Sequence, residues 1–123
     1  MLPDTFQIVF NDFEAVNIID RNTACVIIEP VQAEAGVIWP ADGFLELLRQ
    51  KCNETGALLV FDEVQTGFGR IGKLFATDRF NVIPDIIVLA KALGGGMPLG
   101  AFISSKETMS TLAVDPALGH ITT

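Results

Sequence analysis

The sequence predicts an α/β fold, an open and mainly parallel sheet with one antiparallel strand and covering helices. Four short apolar runs rich in β-branched residues occupy residues 24–28, 57–61, 85–89 and 101–104. A helical pattern separates the first two runs, and a glycine-crowded stretch separates the last two. Apolarity that is continuous over about five residues, rather than alternating, marks strands covered on both faces, as in a parallel sheet.

The first two runs bracket residues 41–55, where Phe44, Leu45, Leu47, Leu48 and Cys52 recur at helical spacing. Asp42 is placed to cap the start of this helix and Gly56 to end it. Strand, helix and strand in that order make a crossover unit, so these strands run parallel with a right-handed connection. The last two runs connect differently. Residues 90–100 hold Lys91, Gly94, Gly95, Gly96, Pro98 and Gly100, too many breakers for a crossover, which needs at least about ten to twelve residues and a helix. The fourth strand therefore returns antiparallel to the third. Residues 106–113 follow as a short helix, weakly amphipathic through Met109, Leu112 and Ala113.

With 123 residues, 50% of them hydrophobic, the chain can bury the core of one domain. Eight basic against fifteen acidic side chains give a net charge of -7, a field that works against nucleic acid and anionic membrane as partners. Glu29, Asp62 and Lys91 interrupt the longest apolar runs, so none reaches the roughly 18 residues of a spanning helix, and the first residues show no basic-then-apolar leader. Cys25 and Cys52 are too few and too far apart for a disulfide framework or a zinc site, which points to a reducing cytoplasm. His120 has no metal-ligand set around it, and no metal is expected. Trp39 and the phenylalanines read as packing residues.

In this layout every parallel strand delivers an ionisable group to its carboxyl end, where ligands gather in open α/β sheets. Glu29 follows the first strand, Asp62 and Glu63 the second, and Lys91 the third. A lysine buried in a glycine-rich loop is a candidate amine nucleophile, and a nearby carboxylate can hold a protonated ring nitrogen. Those are the two protein groups that pyridoxal phosphate chemistry requires. An aspartate and a lysine also make ordinary salt bridges, so the residue types alone leave both readings open. Glu29 and Glu63 read as structural network residues.

Three longer strings bear on the choice. Ile28-Glu29-Pro30-Val31-Gln32-Ala33-Glu34-Ala35-Gly36, Leu59-Val60-Phe61-Asp62-Glu63-Val64-Gln65-Thr66-Gly67-Phe68-Gly69-Arg70-Ile71-Gly72 and Pro84-Asp85-Ile86-Ile87-Val88-Leu89-Ala90-Lys91-Ala92-Leu93-Gly94-Gly95-Gly96 resemble, in order and spacing, the class III pyridoxal-phosphate-dependent aminotransferases of fold type I, in particular the ornithine and acetylornithine aminotransferase group. The similarity runs from about residue 24 to residue 123.

The resemblance implies that residues 1–123 are a single piece of the cofactor-binding large domain, with an N-terminal segment and a C-terminal small domain outside it. It implies pyridoxal 5'-phosphate as cofactor and transfer of an amino group from ornithine, acetylornithine or a similar ω-amino compound to a 2-oxo acid. Lys91 would form the Schiff base, Asp62 would pair with the pyridine nitrogen, Val64 would pack on a face of the ring, and Gln65 would bond the phenolic oxygen. Glu34 would gate the substrate by pairing with an arginine outside this stretch. Thr123 would reach the cofactor phosphate of a neighbouring subunit, which implies a homodimer. By itself the 123-residue chain is expected to be inactive or poor, and an inactive scaffold or dimerisation role is the alternative. Ala33 stands where the family often has glycine, which bears on substrate specificity rather than on fold. Gln65 together with Glu34 separates the chain from the related glutamate-semialdehyde aminomutases.

Gly67-Phe68-Gly69-Arg70-Ile71-Gly72 also satisfies a dinucleotide pattern, and Lys73 extends it towards a phosphate-binding loop. Leu74 occupies the position where a magnesium-binding serine or threonine is required, and five residues intervene between the strand and the first glycine. Nucleotide binding through residues 67–72 is accordingly the weaker expectation.

Overall fold

Four strands lie side by side in chain order: β1 (Cys25–Ile28), β2 (Leu58–Asp62), β3 (Ile86–Leu89) and β4 (Ala101–Ser104). The computed structural model describes residues 3–114, with side chains described through residue 111. β1 pairs parallel with β2, β2 pairs parallel with β3, and β4 returns antiparallel to β3, the topology expected from the spacing of the apolar runs.

Helix α1 (Phe44–Thr55) supplies the core side of the crossover. Phe44, Leu45, Leu48 and Cys52 fall on one stripe and are fully buried, in one cluster with Leu59 and Phe61 of β2. Full burial of side chains of this size stabilises by about 1.5–3 kcal/mol each. Phe10 and Phe13, from the irregular segment ahead of the sheet, meet the Phe44 ring edge-on at 5.4 Å. A short 3-10 turn at Ala15–Ile18 adds Val16, and the following Ile19 joins the same cluster.

The end of α1 is as expected, with Gly56 in the left-handed region (φ 82°) and its N–H donating to the Cys52 carbonyl at 2.9 Å. The beginning is not. The helix starts at Phe44, and Gly43 is the N-cap with φ 84° and no side-chain cap bond. Asp42 sits one residue too early, in a turn closed by the Phe44 N–H on the Ala41 carbonyl at 3.0 Å.

Only one face of the sheet is packed among the described residues. Leu59 and Phe61 point to α1, and by strand alternation Leu58 and Val60 point the other way, where they line an open apolar groove of about 700 Å³ with Ile27, Val88 and Phe102. Ile27 is 68% exposed and Phe102 50%, so the expectation of two covered faces is not met within residues 3–114. The phenylalanines divide in the same way: Phe44 and Phe61 are core, whereas Phe6, Phe13, Phe68 and Phe102 are exposed. Trp39 is partly exposed, with its ring edge-on to Phe80 at 6.0 Å and Arg79 stacked over it.

Two further helices flank the sheet's connections, α2 (Ala76–Phe80) and α3 (Lys106–Val114). α3 lies where the sequence predicts, one residue longer. α2 was not expected, and its origin lies in Glu63, as described below. No helix of the described residues is long and apolar enough to cross a membrane.

Candidate active site

The parallel register brings three strand exits to one edge. Asp62, the last residue of β2, pairs with Val88 of β3, and the Glu63 N–H extends the ladder to the Val88 carbonyl at 2.9 Å. β3 ends one residue later at Leu89, and Lys91 opens the next turn. Asp62 and Lys91 thus leave adjacent parallel strands at the same end of the sheet, where the sequence places them.

Each exit is held by its own hydrogen bonds. After β1, the Glu29 carboxylate accepts the Ala33 N–H at 3.1 Å. Residues 32–38 then close as a small loop through reciprocal bonds between Gln32 and Ile38, at 3.0 and 2.8 Å, and Glu34 lies near its tip. After β2, Asp62 Oδ1 accepts the Val64 N–H at 3.0 Å, a local turn that presents Val64 and Gln65.

Glu63 turns inward and is 1% exposed. It accepts the Thr66 hydroxyl at 2.9 Å and the Ala76 N–H at 2.8 Å, with the Thr77 N–H at 3.4 Å. It is the structural network residue expected, and Glu29 is likewise. The first free N–H groups of α2 are therefore taken by a protein carboxylate. A phosphate after Gly67–Gly72 would need those same donors, so this geometry argues against the nucleotide reading.

After β3, Ala90 is extended and Lys91 adopts φ 46° at the start of a 3-10 turn, Lys91–Gly94. A lysine in the left-handed region is uncommon and costs energy. Lys91 is exposed rather than buried as the sequence suggested. Lys91 and Asp62 do not form a salt bridge; among the described residues the ion pair is Arg49 with Asp85, at 2.8 Å. That pair was not anticipated, since its partners lie 36 positions apart.

Of the residues singled out from the sequence, Gln65 and Glu34 are in direct contact, with Gln65 Nε2 donating to Glu34 Oε1 at 2.6 Å. Val64 lines the apolar groove together with Ala90, the neighbour of Lys91. Thr123 lies outside the described residues. No group of three potential metal ligands occurs among the described residues. An amine, a carboxylate and an amide beside an apolar wall at one sheet edge form a donor set that fits a pyridinium aldehyde: a nucleophile, a counter-charge for the ring nitrogen, a donor for a phenolate and a surface for the ring.

Comparison with known proteins gives the family. The profile of the family described as "Aminotransferase class-III" matches residues 3–123. The ornithine δ-aminotransferase of Plasmodium falciparum is 41% identical over 91% of this chain, with a TM-score of 0.86. The N-acetylornithine aminotransferase of Stenotrophomonas maltophilia is 43% identical over 85%, with a TM-score of 0.80. The ornithine aminotransferase of Toxoplasma gondii, a structure with partial occupancy of PLP at the active site, is 35% identical over 98%, with a TM-score of 0.88. The chain spans 30%, 29% and 29% of the length of these three proteins. The chain belongs to the class III aminotransferase family.

Proposed function

We propose that this chain carries part of the active site of a pyridoxal-5'-phosphate-dependent aminotransferase, which moves an amino group from ornithine, acetylornithine or a similar ω-amino compound to a 2-oxo acid. The observation that carries the reading is the register of Asp62 on Val88, which sets a carboxylate and the Lys91 amine at the same end of neighbouring strands. When bound, the cofactor supplies an electron sink for the carbon that loses and regains a proton.

The chain's own residues have separable tasks in this proposal. Lys91 Nζ would hold the cofactor covalently and, when free, would move the proton at the reacting carbon. The Asp62 carboxylate keeps the ring nitrogen protonated, since an adjacent opposite charge favours the ionised form of both. Val64 packs on the ring face, Gln65 bonds the phenolic oxygen, and Glu34 gates the substrate. Thr123 bonds the phosphate in a neighbouring subunit, so the working unit is a homodimer. Two free thiols, Cys25 and Cys52, suit a reducing cytoplasm. The open groove, with Ile27 68% exposed, supports the further reading that the 123-residue chain alone is a poor catalyst.

Pyridoxal phosphate added to the chain, followed by borohydride reduction and peptide mapping, tests the assignment. The adduct is expected on Lys91 and not on Lys51, Lys73 or Lys106, and it is expected to vanish in Lys91→Ala. An adduct that persists in Lys91→Ala overturns the lysine assignment.

A further inference from the structure

We propose that Glu34 is a positioning residue for Gln65, fixing which end of the Gln65 amide faces the cofactor's phenolic oxygen; the inference rests on the cofactor reading above. The Gln65-to-Glu34 bond of 2.6 Å spans 31 positions and ties the exit of β1 to the exit of β2. Both backbones are already held. Glu29 fixes Ala33, the residue before Glu34, and Asp62 fixes Val64, the residue before Gln65. The two side chains therefore meet between anchored loops rather than by chance extension.

A glutamine amide has ends of nearly equal shape and opposite hydrogen-bonding sense. An ionised carboxylate only accepts, so Glu34 selects the NH2 end of Gln65 and rejects the oxygen. A charge-assisted bond is stronger than a neutral one, which gives that selection weight. The same Nε2 carries a second hydrogen, free to donate to another anion. One amide nitrogen can thus bridge the Glu34 carboxylate and a deprotonated phenolic oxygen. With no acceptor at position 34 the amide can turn, and Oε1 would then oppose the phenolic oxygen.

This account makes a directional statement that a purely electrostatic role for Glu34 contradicts. A donor on the phenolic oxygen lowers its basicity, so the proton shared between that oxygen and the lysine nitrogen is lost at lower pH. Losing the donor raises the pH at which the bound cofactor's long-wavelength absorbance is lost. Removing a nearby negative charge, acting through space alone, lowers it.

The experiment is a pH titration of the absorbance of the pyridoxal-phosphate-loaded chain, with Glu34→Leu, Gln65→Leu and the double substitution. Glu34→Leu and Gln65→Leu are each expected to move the midpoint up, by about half to one pH unit, and Glu34→Leu is expected to add nothing in the Gln65→Leu background. A downward or absent shift in Glu34→Leu, or full additivity in the double substitution, overturns the positioning role while leaving the cofactor assignment intact. Absence of any such band in the unsubstituted chain overturns the cofactor assignment itself, and the positioning role with it.

Discussion

Both carboxylate oxygens of Glu63 lie 2.8 Å from the backbone nitrogen of Ala76. This one side chain opens α2 and pins the β2 exit loop that presents Asp62, Val64 and Gln65. The amide of Glu63→Gln has the same shape but replaces one acceptor with a donor, leaving a buried N–H or O–H unpaired. Glu63→Gln is expected to lower stability by about 1–3 kcal/mol, read as a lower urea midpoint with unchanged slope. Gly67→Ala reaches the same loop from the other side. A Cβ there would sit 2.9 Å from the Glu63 carbonyl oxygen, a backbone atom that cannot rotate away, and a loss of about 1–3 kcal/mol is expected.

Asp85 is expected to outweigh its ion-pair partner. Its carboxylate accepts both Arg49 and the Leu59 N–H at 2.7 Å, and its own N–H donates to the Leu59 carbonyl at 2.8 Å. Asp85→Ala therefore strands a strand N–H as well as the guanidinium, for about 1–3 kcal/mol. Arg49→Met removes a partly buried ion pair and a long bond to the Ile83 carbonyl at 3.3 Å but retains the apolar stem and strands no backbone N–H, at a cost of about 1 kcal/mol. Equal losses in thermal or urea unfolding would contradict this ordering.

The readable and unreadable parts of this structure divide by sequence distance. Gly56 stops α1 where a local rule puts it, and the glycine-crowded stretch after Lys91 forces the antiparallel return of β4. Asp62 is legible as the end of an apolar run, and α1 makes the pairing of β1 with β2 legible, but the parallel pairing that puts Asp62 and Lys91 at one sheet end is that of β2 with β3. α2 is five residues of ordinary polarity, and its start is stabilised by a carboxylate 13 positions away. No periodicity within residues 76–80 announces that. The contact of Glu34 with Gln65 and the tie of Arg49 to Asp85 are hidden for the same reason. Gly43 displaced Asp42 as the cap because a left-handed glycine closes the turn without a side chain, an outcome that residue preference for caps does not anticipate.

The role proposed for Lys91 falls on a backbone conformation that a lysine does not favour. With φ 46° it occupies a region in which a Cβ costs about 1–2 kcal/mol and glycine costs almost nothing. Lys91→Gly is expected to be more stable than Lys91→Ala by about 1 kcal/mol, although neither can hold a cofactor covalently. Strain of this kind persists where surrounding structure imposes it, here the extended Ala90 before it and the turn through Gly95 after it. Alanine matching or exceeding glycine in a denaturant titration would show that the left-handed geometry is not imposed.

The two thiols are expected to behave differently, and one of them makes stability depend on pH. Cys25 is exposed on the edge strand β1, whereas Cys52 is fully buried on α1. A thiol reagent should modify Cys25 promptly and Cys52 only when α1 opens from the sheet. Burial raises the Cys52 pKa from the ordinary 9.0, reinforced by the charge of Asp85 and by Cys25 and opposed by Arg49. The neutral thiol is the form the fold accepts. Its contribution is therefore fully present below the unfolded pKa, and it falls away as pH rises through that value towards the higher folded one, because the unfolded chain ionises first. Unfolding free energy should decline above about pH 9 in the parent chain, and that component of the decline should be missing in Cys52→Ala, whatever cavity the substitution leaves. An identical alkaline slope in both proteins would place the loss in other groups.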